Sequence, residues 1–118
     1  MQTDAKLPKP IATYVRAINA GDPVALQSAF ADDAVVKDVG REFRGKATLK
    51  EWAAREIFAV NVTLDVLKAI RRDAETIVTV KIDGTFDRTC LPDPLLMDHC
   101  FTLAGDKITA LSCRLAGD

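Results

Sequence analysis

Apolar positions recur at helical spacing near the start of the chain. Ile11, Tyr14, Val15 and Ile18 fall at i, i+3, i+4 and i+7 and predict one buried stripe on a helix over Pro8–Ala20. Asn19-Ala20-Gly21 stops that helix, with Gly21 suited to a left-handed cap. Asp22 caps a second, short helix in which Pro23 sits where a missing N–H costs nothing. It carries Val24, Leu26, Ala29 and Phe30 and ends at Asp32-Asp33. The period changes to two at Ala34–Val39, a first strand with Val36 and Asp38 on one face and Val35, Lys37 and Val39 on the other. Gly40–Gly45 reads as a turn or irregular crossing. A third helix over Lys46–Phe58 sets Leu49, Trp52, Ala53 and Ile57 on one side. Two longer strands follow, Asn61–Ala69 and Thr76–Asp83, joined by the polar turn Arg71-Arg72-Asp73-Ala74. Beyond them, Pro92-Asp93-Pro94 cannot continue a central strand.

The chain closes on a hairpin, Leu95–Leu115. A two-residue loop at Gly105-Asp106 sets Leu103 opposite Ile108, Cys100 opposite Leu111 and Asp98 opposite Cys113. Alternation then gives one face Leu96, Asp98, Cys100, Leu111, Cys113 and Leu115. The other face receives Met97, His99, Phe101, Ile108, Ala110, Ser112 and Arg114. Asp98 thus lands among apolar side chains, where a carboxyl must find a partner, hold its proton or line a cavity. A one-residue slip or a bulge turns it to solvent instead. Met97, His99, Phe101 and Ala110 form an apolar outer face that suggests a homodimer, with His99 on the sheet surface or at a subunit interface and not catalytic.

Helices followed by mostly antiparallel strands define an α+β chain: a cone-shaped roll of three N-terminal helices packed on a curved sheet enclosing a pocket. Inward parity points Tyr14, Asp38 and Asp98 into the cone. The 118 residues suit a single domain, 1–118. A net charge of −1 gives no electrostatic reason to expect nucleic acid or an anionic membrane as partner. No apolar run approaches membrane-spanning length, and Met1–Lys9 lacks a signal core. Three cysteines without CxxC spacing and a single histidine argue for reduced thiols in a cytoplasmic protein, against a disulfide framework or a zinc site. Neither metal nor cofactor is expected.

The run Asn19-Ala20-Gly21-Asp22, then Phe30-Ala31-Asp32-Asp33-Ala34, then Gly45 ahead of a helix resembles the nuclear-transport-factor-2-like superfamily, the cystatin-like α+β roll that includes SnoaL-like polyketide cyclases. Within it the residues look most like bacterial ketosteroid isomerase, which has a tyrosine on the first helix, an aspartate near the end of the first strand and a second aspartate in a late Asp-His pair. Here these are Tyr14 in Thr13-Tyr14-Val15, Asp38 in Val36-Lys37-Asp38 and Asp98 in Met97-Asp98-His99. The resemblance implies that Asp38 moves a proton beside a carbonyl through a dienolate, with Tyr14 and a protonated Asp98 donating hydrogen bonds to its oxygen. It also implies an apolar small-molecule ligand in a pocket lined by Trp52, Phe30, Val36, Leu111, Cys113 and Leu115. The sequence departs from that family at Val39, where proline is expected, and in the longer Gly84–Pro94 tract, which would reshape the pocket mouth. Tyr14 has no second tyrosine to support it. Two alternatives stay open: a SnoaL-like cyclase or dehydratase using the same cone and one acid, or a non-catalytic small-molecule-binding homodimer. Glu56 reads either as a pocket acid or as an edge residue laid along helix three.

Overall fold

The amphipathic stripe folds as expected into helix α1 (Lys9–Ala20), which buries Ile11, Tyr14, Val15 and Ile18. Gly21 ends it in the left-handed conformation, φ 68°. Asp22 accepts from the Ala25 N–H and starts α2 (Pro23–Ser28), which is shorter than its sequence suggests because Phe30 already belongs to a strand. The computed structural model describes residues 7–116. A six-stranded sheet is formed by β1 (Phe30–Asp38), β2 (Arg41–Arg44), β3 (Thr63–Arg72), β4 (Glu75–Asp83), β5 (Leu95–Ala104) and β6 (Lys107–Leu115), in the order β2-β1-β6-β5-β4-β3. All neighbours are antiparallel except β1 and β6. Between β2 and β3 lies α3 (Lys46–Ala53), continued by a π-helical turn over Ala54–Phe58. The architecture is α+β, three helices on one face of a curved sheet.

Two parts of the chain depart from the sequence pattern. Gly40–Gly45 is no irregular crossing: Asp38 pairs with Arg41 across a two-residue turn, Val39-Gly40, and β2 returns along β1. Both turn residues have positive φ, 46° and 85°, the geometry that matches the twist of a tight hairpin. Glycine adopts it freely, whereas the β-branched Val39 is strained there. Likewise Arg71 and Arg72 extend β3, leaving Asp73-Ala74 as the turn.

The second departure reorients the closing hairpin. Its Gly105-Asp106 loop and the Leu103–Ile108 pair stand as expected, but Thr102 faces Ala110, so Thr109 is an extra residue on β6. That bulge shifts every later pair by one: Phe101 faces Leu111, His99 faces Cys113 and Met97 faces Leu115. Leu95, Met97, His99 and Phe101 therefore point toward the helices, and all four are buried. Leu96, Asp98 and Cys100 take the opposite face. The patch invoked for a homodimer, Met97, His99 and Phe101, is thus core and cavity wall, and that reason for self-association is removed.

Asn19 fastens the helix layer to the sheet edge. Its Nδ2 donates to the Leu64 carbonyl at 3.0 Å while its Oδ1 accepts from the Leu64 N–H at 2.7 Å. Tyr14, Phe30 and Phe101 meet edge to face, with ring centroids 6.2 and 5.0 Å from Tyr14, and fill the closed end of the roll. No helix among the described residues is long and apolar enough to cross a membrane.

Candidate functional site

Between the helices and the sheet lies a cavity of about 530 Å³, a size that suits a drug-sized organic molecule. Ile18, Ile57, Leu64, Ile82, Leu95 and Met97 give it apolar walls. The tract after β4 contributes Phe86 and Leu91, so this longer segment does shape the wall. It is tied down where Gly84 passes the π-helical turn: the Thr85 N–H donates to the Val60 carbonyl at 2.7 Å, and a Cβ on Gly84 would lie 2.8 Å from that oxygen.

Polar groups gather at two places. At the first, Tyr14 Oη and His99 Nδ1 lie 3.0 Å apart and share one buried hydrogen bond. Both residues border the cavity. Burial pushes the His99 pKa down to about 4, against a smaller opposing pull from Asp98, so the imidazole is neutral at pH 7. Burial also holds the Tyr14 hydroxyl well above its ordinary pKa, with the charges of Cys113 and Asp38 adding to the effect. Gln27 Oε1 is the one fully enclosed side-chain polar atom without a partner among the described residues. His99 bonds Tyr14 through Nδ1, and the residue borders the cavity; no side-chain hydrogen bond is made by Nε2 among the described residues.

At the second place, Asp38 ends β1 with its side chain 18% exposed. Its Oδ2 accepts from Trp52 Nε1 and from Arg41, each at 3.2 Å. Arg41 also pairs with Glu56 at 3.2 Å, and Arg55 stands beside them at the mouth. Arg55, Glu56 and Ile57 all come from the π-helical turn, an irregularity that widens a helix and often marks a functional site. Cys113 lies on the wall between the two places, paired in register with both Asp38 and His99. Burial, then the charge of Asp38, raises its thiol pKa well above the ordinary value, which leaves it unreactive.

Of the residues singled out from sequence, Tyr14, Asp38, Trp52, Cys113 and Leu115 border the cavity. Asp98 does not. It lies on the far face of the sheet, where it accepts from Thr79 Oγ1 at 2.6 Å, so it cannot reach an oxygen bound in the cavity. Phe30, Val36 and Leu111 are at most 1% exposed and belong to the solid core instead of the wall. Glu56 stands at the mouth, 40% exposed and paired with Arg41. His99, Arg41 and Arg55 are polar wall residues that sequence reasoning missed. The alternation of β5 alone held a signal for His99, because Leu95, Met97 and Phe101 share its parity while Asp98 shares that of Thr102. For Arg41 the signal was the glycine of a two-residue turn just after Asp38.

A curved sheet closed by helices over one mostly apolar cavity, with its polar groups confined to two spots, defines the small-molecule-binding roll of the nuclear-transport-factor-2-like class. The chain belongs to the SnoaL-like domain family, whose model matches residues 11–111. Among solved structures it is similar to a candidate polyketide cyclase from Sinorhizobium meliloti, with 25% identity, a TM-score of 0.84, and 94% of this chain and 98% of that one covered. A Catenulispora acidiphila protein of ketosteroid isomerase-like fold, in complex with trimethylamine, shares 23% identity at a TM-score of 0.78, covering 95% and 88% of the two chains. A Mycobacterium tuberculosis protein in complex with estradiol-17β-hemisuccinate shares 15% identity at a TM-score of 0.78, with 92% of each chain covered.

Proposed function

We propose that the protein is a small-molecule isomerase of ketosteroid-isomerase type, with Asp38 as the base and the Tyr14–His99 pair, in place of Tyr14 and Asp98, holding the enolate oxygen. The asymmetry of Asp38 carries this reading. Its Oδ2 is held by Trp52 and Arg41, Oδ1 makes no side-chain hydrogen bond among the described residues, and the residue borders the same cavity as the tyrosine and histidine. A carboxylate fixed through one oxygen presents the other in a defined direction, which is what proton abstraction requires.

In the step envisaged, Oδ1 takes a proton from the carbon beside the ligand carbonyl. The C–H electron pair forms the new C=C bond and the carbonyl π electrons move to oxygen. Hydrogen bonding from the Tyr14–His99 pair stabilises charge that develops only as that happens. The proton then returns from Asp38 two carbons along. The steroid derivative bound by the M. tuberculosis relative supports an apolar ligand of this size.

Deuterium exchange beside the carbonyl of a Δ5-3-ketosteroid, followed by NMR, tests the reading. Asp38→Asn should slow exchange at least about a hundredfold with an unchanged unfolding midpoint. Exchange at the original rate in a folded variant contradicts the proposal, whereas binding of the ketosteroid with no exchange in the unaltered protein leaves a pocket that binds without turnover. The similarity to a candidate polyketide cyclase favours a second reading, a cyclase in which the same acid acts on a polyketide-like ester. Turnover of such an ester, with none of the ketosteroid, decides for it.

A further inference from the structure

We infer that the Tyr14–His99 pair reads a ligand edge carrying one hydrogen-bond acceptor and one donor together, so that the preferred ligands are hydroxy-carbonyl compounds (an enolised β-dicarbonyl or a hydroxyenone) rather than isolated ketones. A tyrosine and a neutral imidazole carry one heteroatom hydrogen each. The 3.0 Å bond between Tyr14 Oη and His99 Nδ1 consumes one of the two. If the tyrosine donates to Nδ1, the remaining hydrogen is on Nε2, which is the donor, and Oη keeps a lone pair. If Nδ1–H donates to Oη, the tyrosine hydrogen is free to point outward and Nε2 is the acceptor. Either tautomer offers the cavity one donor and one acceptor.

An isolated ketone satisfies only the donor. The acceptor is then left against apolar walls, where an unpaired polar group is costly and discriminates strongly between ligands. A hydroxyl next to the carbonyl, or one double bond removed from it, supplies the missing hydrogen. The bulge at Thr109 is what brings an imidazole here in place of the buried acid that the family resemblance implies at Asp98. The inference deepens the isomerase reading and rests on it only for the direction of the ligand, oxygens toward Tyr14 and reacting carbon toward Asp38.

The test compares 3-hydroxyflavone with flavone and 3-methoxyflavone by titration calorimetry at pH 7. The hydroxy compound should bind at least about tenfold more tightly than the other two. In Tyr14→Phe only Nε2 remains to meet the ligand, and the preference should shrink to about twofold or less. Equal affinities in the unaltered protein, or no binding of any of the three, overturn the inference. An independent readout is the ¹⁵N spectrum of the His99 ring: one protonated nitrogen is expected at pH 7, and two protonated nitrogens overturn the count whatever the variant does. The preference is measured without turnover. It can therefore stand if Asp38→Asn retains exchange, and it can fall while Asp38 proves to be the base.

Discussion

The two polar spots of the cavity solve opposite electrostatic problems. Tyr14 and His99 lie 1% and 5% exposed and stay neutral, because burial disfavours the charged form of each and the pull of Asp98 on His99 is too small to offset it. Asp38, Arg41 and Glu56 sit at the mouth, where water and mutual pairing make charge affordable, and Arg41 is 54% exposed. A ligand spanning the cavity would thus meet neutral hydrogen-bonding groups at depth and a carboxylate near the entrance. Deep in the roll a hydrogen bond is strong because it is dry. At the mouth the carboxylate is held but still reachable. That division suits a reaction in which negative charge moves from a base into a ligand oxygen.

The contrast is broken most forcefully by acid. His99 titrates near 4 in the folded protein and at its ordinary 6.5 when unfolded. Its stabilising contribution is therefore complete above pH 6.5 and is lost as pH falls toward 4, because the unfolded chain gains a proton that the folded one refuses. The loss should approach about 3 kcal/mol. Thermal unfolding from pH 7 to pH 4 measures it, and His99→Phe should flatten that limb even though it lowers stability at pH 7. An equally steep acid limb in the variant would show that His99 is not its source.

The mouth responds more weakly. Val39→Asn relieves the positive φ of a β-branched residue in the Val39-Gly40 turn and should stabilise by about 1 kcal/mol, read as a higher unfolding midpoint. Smaller still, Arg41→Gln should change stability by about 0.5 kcal/mol or less, since its ion pairs are largely solvated, and added salt should shrink the difference further. A change of several kcal/mol there would mean that the mouth is as dry as the deep end.

The same division separates what the sequence discloses from what it hides. The helix stripe of α1, its Gly21 cap, the Asp22 start of α2 and the inward parity of Val36 and Asp38 are local matters of periodicity and capping, and they read directly. The faces of β5 depend on one extra residue in β6. The Gly105-Asp106 loop fixes only the pairs next to it, and nothing in the Thr109 side chain announces a bulge. From that single residue follow the exchange of Asp98 for His99 at the cavity and the loss of the expected dimer face. Phe30, Val36 and Leu111 show a related limit. Inward parity establishes burial, but whether a buried residue meets a cavity or another side chain depends on how the helices lie across the sheet. The family resemblance identified the fold and two of the three expected site groups that border the cavity. The third needed the register.

The central claim is that His99, and not Asp98, partners Tyr14 in the cavity. Binding of 2-naphthol, a small phenolic analogue of an enolic oxygen, tests it most directly in three proteins: the unaltered chain, Asp98→Asn and His99→Phe. The account predicts that Asp98→Asn binds within about twofold of the unaltered protein, and that His99→Phe, folded by circular dichroism, binds about tenfold more weakly. The reverse pattern, weak binding by Asp98→Asn and full affinity in His99→Phe, would contradict it.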